Sequence, residues 1–223
     1  TPRESSTKSV APFESVVKQK ADQKAKLVIS EYMAIEKRLN NEIFIDQALN
    51  ANILKAEELA LAGDKLYYSE QYDEALAQYS EATETLRGLV SSAETEFDSL
   101  LKEAQQSLTD RENEKAKRSI SEALFIKPGS EIAKRIEQRI KLLPQIIELS
   151  RNAKNDELAG HYKKALDTYE QIKQIDPLTS QINETIATVT ERVRLQQVQG
   201  LLTSGFKLLE SKNFEPARTA FQQ

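Results

Sequence analysis

The sequence predicts an all-α fold, an irregular and elongated solenoid of helical hairpins with long helices. Three observations predict it. The 223 residues include only six Gly and six Pro among abundant Ala, Glu, Leu, Lys and Gln, so most positions favour a helix and few interrupt one. No stretch alternates β-branched and polar residues between turn signals, as a strand would. Apolar residues recur at steps of three and four, and one pattern of large and small residues returns four times.

Residues 1–13, rich in Ser, Thr and Pro at their start, read as a flexible lead-in. Residues 14–55 form an N-terminal helical segment. Ala21, Ala25, Val28, Tyr32, Ile35 and Leu39 make an apolar stripe on one face. The stripe is too short for a coiled coil and is expected to pack on the helices that follow, with self-association of the chain as the alternative. Ile43, Phe44 and Ile45 form an apolar knot, and Asp46 is placed to cap the next helix.

A repeat domain occupies residues 56–223, with about three and a half copies. In the first copy Leu59, Ala62, Gly63 and Leu66 share a face of one helix, Gln71-Tyr72-Asp73 makes the turn, and Ala75, Tyr79 and Ala82 face inward from a second helix. Small residues matter here because antiparallel helices approach closely only where side chains are small. The second copy supplies Ala116, Ile120, Ala123 and Pro128, and the third Tyr162, Ala165, Tyr169, Ile172 and Pro177. The fourth supplies Leu201, Gly205, Leu208, Phe214, Ala217 and Phe221, and the sequence stops inside it, as an excised piece of a longer chain would.

This order of large and small positions resembles the tetratricopeptide repeat (TPR) family. The first copy matches at nearly every position, and Arg87 stands where the family has its closing proline. The equivalent alanines, Ala75, Ala116, Ala165 and Ala217, are 41, 49 and 52 residues apart, wider than the family's regular unit. The added residues continue the apolar stripes through Ile132, Ile136, Ile140 and Leu143 and through Ile182, Ile186, Val189 and Val193. The expectation is therefore a pair of long first helices near 131–159 and 179–211, with Pro144 and the Gly200/Gly205 pair as the sites of a kink or break.

Signatures of catalysis are absent. There is no Cys, which removes disulfides, thiolate chemistry and Cys-ligated zinc together. His161, the single histidine, falls in the turn of the third copy with no second ligand at metal-binding spacing. No glycine-rich phosphate loop occurs, and Pro128-Gly129 reads as the end of a helix. Asn183-Glu184-Thr185 fits a glycosylation pattern by chance within a helix. The expectation is a non-enzyme with no catalytic residue, no metal and no cofactor.

Net charge is −4, but residues 56–96 hold ten acids against Lys65 and Arg87. Such a segment could steer a basic partner, although a solvated helix face is the simpler explanation. No part is basic enough to suggest nucleic acid, because Lys115–Arg118 and the basic residues from Lys134 to Lys141 are interleaved with acids at helical spacing. No run of about 18 apolar residues occurs that could span a bilayer.

The TPR resemblance implies a concave surface lined by the first helices, which binds a peptide or a partner protein. Carried over by position, its groove residues are Ala60, Asp64, Tyr67 and Tyr68 in copy one and Leu101, Gln105 and Leu108 in copy two. Copy three gives Ser150, Lys154 and Glu157, and copy four gives Leu202, Phe206 and Leu209. Family members that clamp a C-terminal carboxylate use Lys, Asn and Arg at such places. Asp64, Gln105, Lys154 and Phe206 stand there instead, so that clamp is not expected.

Two readings follow. One is a protein-protein interaction scaffold. The other is a structural helical spacer or oligomerisation module of a larger envelope protein, carried on a membrane anchor. The Cys-free chain without an initiating Met favours a bacterial setting, periplasmic or otherwise outside the cytoplasm, for either one.

Overall fold

The computed structural model describes residues 12–44 and 50–222, and among these it contains eight helices and no strand. The helices are α1 (Pro12–Asn41), α2 (Asn50–Tyr68), α3 (Tyr72–Thr109), α4 (Asn113–Ile126), α5 (Glu131–Leu158), α6 (Tyr162–Ile175), α7 (Ile182–Glu210) and α8 (Phe214–Gln222). The all-α prediction holds. Ile45 of the apolar knot and the cap position Asp46 lie outside the described residues.

Four of the interhelical turns share one geometry. Each places a residue with positive φ two positions before the next helix: Glu70 at 60°, Arg111 at 63°, Gly160 at 77° and Lys212 at 53°. The following amide then reaches back over the helix end. Gln71 N–H donates to Leu66 O at 2.9 Å, Glu112 to Ser107 at 2.8 Å, His161 to Asp156 at 2.8 Å and Asn213 to Leu208 at 2.9 Å. This is the Schellman arrangement, which satisfies carbonyls that a helix end would leave open. Only Gly160 is the residue type that adopts the left-handed conformation without steric cost.

One turn of helix beyond each of these turns lies an alanine with no exposed surface: Ala75, Ala116, Ala165 and Ala217. Their amides donate to the carbonyls of Gln71, Glu112, His161 and Asn213, starting the second helix of each hairpin. Sixteen residues separate a second small–large set: Gly63 and Tyr79, Ala104 and Ile120, Ala153 and Tyr169, Gly205 and Phe221. In the first and last the fit is tight, since a Cβ on Gly63 would stand 2.7 Å from the Tyr79 ring and one on Gly205 2.6 Å from the Phe221 ring.

The chain divides into two compact units. One comprises the described residues up to Glu103 with Ser119–Lys134, and the other Ala104–Arg118 with Arg135 onwards. In the first unit Tyr32 and Leu39 of α1, Ala56 and Ala60 of α2, and Tyr79, Ala82, Leu86, Leu89 and Val90 of α3 make one buried cluster. The apolar stripe of α1 thus packs on the helices that follow, as expected. Ile43 is buried, and Phe44 N–H donates to Ile126 O at 2.7 Å while its ring meets Phe125 edge-on. Burying a residue such as Leu86 contributes about 1.5–3 kcal/mol.

In the second unit Ile146 and Ala153 of α5, Ala165, Leu166, Tyr169 and Ile172 of α6, and Ile182 and Val189 of α7 form a second cluster. Arg139 of α5 donates to both oxygens of the buried Asp176 at 3.1 Å, and with Nη2 to Leu178 O, fastening the loop between α6 and α7.

Two expectations need correction. α3 runs 38 residues without a turn, so the second helix of copy one and the first helix of copy two are a single helix. Arg87 explains this. It keeps the backbone N–H that a proline there would lack, and Gly88 beside it costs a helix only about 1 kcal/mol. α5 and α7 occupy the two stretches predicted to be long, and of the kink or break expected in each, the break does not occur. α5 passes through Pro144, and α7 passes through Gly200 and Gly205. A mid-helix proline removes one hydrogen bond, while the bonds on either side and the buried Leu143 and Ile146 still hold α5 in place.

Candidate functional site

The residues carried over as a groove meet different surroundings in each copy. In copy one Ala60 is buried in the core, Asp64 accepts a hydrogen bond from the Tyr79 hydroxyl, and the Tyr67 hydroxyl donates to Asp22 Oδ1 of α1 at 2.6 Å. Tyr68 remains 84% exposed. α1 is further tied by ion pairs of Lys18 with Glu70, Glu31 with Arg87 and Arg38 with Glu94. It therefore covers part of the face that the TPR resemblance offers to a partner. What stays open is a cavity of about 420 Å³ lined by Ala60 and Asp64 with Met33, Glu36, Glu57 and Leu61. It is acidic, with exposed Met33 and Leu61 as apolar members.

Copy three builds a polar surface. Glu157, carried over from the sequence, is buried, and its carboxylate is fully engaged. Oε1 accepts from the Tyr169 hydroxyl at 2.7 Å, Oε2 accepts from Arg192 at 2.9 Å, and Lys154 Nζ lies 3.6 Å away. A buried carboxylate is tolerated only with such partners. Burial pushes the Tyr169 hydroxyl well above the ordinary tyrosine range, and the bond to Glu157 adds to it. The positive charges of Arg111 and Arg192 act the other way. Beside this group a cavity of about 480 Å³ is lined by Arg111, Ser150, Arg151, Lys154, Thr179 and Thr185 among others. Ser150, Lys154 and Glu157 share one face of α5 and line this cavity.

Leu101 of copy two is half-buried, Gln105 is exposed and Leu108 is buried. In copy four Leu202, Phe206 and Leu209 are exposed on α7, Phe206 at 58%, and its ring meets Phe221 edge-on with centroids 5.3 Å apart. With the exposed Leu195 they continue an apolar stripe along the C-terminal half of α7.

His161 sits in its turn as expected, exposed, with Asp156 Oδ1 3.7 Å from its Nδ1. Among the described residues no group of three or more His, Cys, Asp or Glu side chains is gathered where it could hold a metal ion. Among them, too, no helix is long and apolar enough to cross a membrane.

Sequence reasoning missed Arg111, Arg151, Arg192 and Thr179 beside Glu157, and Asp22 beside Tyr67. Arg111 comes from the turn before α4, Arg151 from α5 and Thr179 from the loop before α7. No spacing along one helix could have joined them.

No protein-family model matches the chain, and neither a curated protein nor a solved structure matches it.

Proposed function

We propose that the protein is a TPR-like interaction scaffold that binds a peptide or partner protein and catalyses nothing. The observation that carries this reading is the coincidence of groove positions with concave or open apolar surface. Ala60 and Asp64 open into one cavity, Ser150, Lys154 and Glu157 line another, and Leu202, Phe206 and Leu209 stand exposed on α7. Exposed aromatic and aliphatic side chains on a well-formed helix are natural anchors for a partner. The recurrence of one turn geometry, each followed by a buried alanine, supports the repeat architecture behind the reading.

The spacer reading keeps one observation in its favour. α3 is an uninterrupted helix of 38 residues, which at about 1.5 Å per residue is a rod of roughly 57 Å.

Site-specific photo-cross-linking decides between them. A photoreactive residue is placed at Met33, at Phe206 and, as a control, at the exposed Glu122 of α4. A scaffold yields a defined adduct from Met33 or Phe206 that Glu122 does not give, and mass spectrometry of the adduct identifies the partner. The same products from all three positions, or none from any, would leave the spacer reading in place. Adducts of the chain with itself would show an oligomerisation module.

A further inference from the structure

The cavity beside Glu157 has a chemistry that the general reading of a scaffold does not require. Three cations line it, Arg111, Arg151 and Lys154, in a chain of net charge −4. Its one acid, Glu157, is held by Tyr169 and Arg192 and also pairs with Lys154 at 3.6 Å, so it leaves the two arginines unanswered. Among the described residues Arg111 and Arg151 form no ion pair, although the rest of the helix surface is rich in them. Neutral donors complete the lining. Thr185 is among the lining residues, and the hydroxyl oxygen of Thr179 is buried with no hydrogen-bond partner.

We propose that this cavity binds a phosphate monoester. Two guanidinium groups without an acidic partner, Arg111 from the turn before α4 and Arg151 from α5, line the space with the Lys154 ammonium of α5 beside them, as suits a dianion whose oxygens point in several directions. A carboxylate, flat and singly charged, would neutralise only one of the two guanidinium charges. At about 480 Å³ the cavity exceeds a bare phosphate and accommodates a phosphorylated side chain with its neighbouring backbone. The first turn of α7 borders it, with Gln181 as a left-handed cap that makes no side-chain cap bond, and this end of the helix adds a favourable dipole. The assignment does not depend on the apolar face of α7.

The test uses the whole chain and a short, otherwise neutral fluorescent peptide with one phosphoserine, read by anisotropy. The unphosphorylated peptide and inorganic phosphate are run beside it. The phosphopeptide is expected to bind saturably and at least about tenfold tighter than its unphosphorylated form, and to weaken as salt is raised. Arg151→Gln and Lys154→Gln are each expected to lose about tenfold, while Arg151→Lys keeps part of the affinity. Arg111→Asn is the third variant, because Asn tolerates the positive φ of that turn. Circular dichroism confirms that each variant is folded. Inorganic phosphate that matches the phosphopeptide in affinity assigns the site to free phosphorylated molecules, and a tighter phosphopeptide assigns it to a phosphorylated segment of a partner. Equal binding of the two peptides, or folded variants that bind as well as the wild type, overturns the proposal.

Discussion

Gly63 and Tyr79 lock the first helical hairpin: a single added carbon on Gly63 would lie 2.7 Å from Cδ2 of the buried Tyr79 ring. The ring is held by the core around it and by its hydroxyl bond to Asp64, so it has little room to withdraw. Gly63→Ala is therefore expected to destabilise the protein by about 1–3 kcal/mol, despite the better helix propensity of Ala. Gly205→Ala faces the same clash with Phe221, but that ring is 41% exposed and can move, so the cost is smaller. Gly88→Ala meets nothing within 4 Å and is expected to stabilise by about 0.5–1 kcal/mol. Urea unfolding of the three variants checks the order.

The four matching turns make an opposite pair of predictions. Gly160→Ala forces a Cβ into the left-handed conformation and is expected to cost about 1 kcal/mol. Lys212→Gly relieves the same penalty and is expected to gain about as much. Differential scanning calorimetry should show melting temperatures moving in opposite directions.

Glu157 tests the buried polar group. Tyr169→Phe removes the shorter of its two hydrogen bonds and is expected to cost about 1.5–3 kcal/mol, since the acceptor is charged and buried. Glu157→Gln keeps an acceptor for Tyr169 while removing the charge, so its loss should be smaller. A larger loss for Glu157→Gln than for Tyr169→Phe would show that the carboxylate charge matters more than the hydroxyl bond.

Alkaline pH tests the buried tyrosines. Burial raises the Tyr32 hydroxyl to about 12, with nearby Glu36 and Glu57 adding to it. The folded protein thus keeps a proton that the unfolded chain releases near pH 10, so the unfolded state binds fewer protons and stability falls with pH. The Tyr32 contribution is complete below about pH 10 and is gone by about pH 12. Urea midpoints measured across that range should decline, and Tyr32→Phe should make the decline shallower.

Arg87→Pro tests why α3 is continuous. A proline at this place removes a backbone donor in mid-helix and also the ion pair with Glu31. A cost of about 3 kcal/mol or more is expected, with loss of helical circular dichroism. An unchanged spectrum would mean that α3 tolerates a bend there.

Much of this molecule is written locally. The helices, the positions of the turns before Tyr72, Asn113, Tyr162 and Phe214, and the long reach of α5 and α7 follow from apolar steps of three and four, from scarce breakers and from the recurring alanines. These depend on neighbours within a few residues, and so they are legible in the chain. The absence of the closing proline at Arg87 was equally visible, yet its consequence, one helix in place of two, appeared only in the fold.

The tertiary structure decided the surfaces. Whether Tyr67 faces a partner or Asp22, whether Glu157 is a groove residue or the centre of a buried network, and which cations share its cavity all depend on chain segments 35 to 45 residues apart. Hydrophobic periodicity says which face of a helix turns inward. It does not say which other helix lies across that face, because that choice is made by the joint packing of all of them.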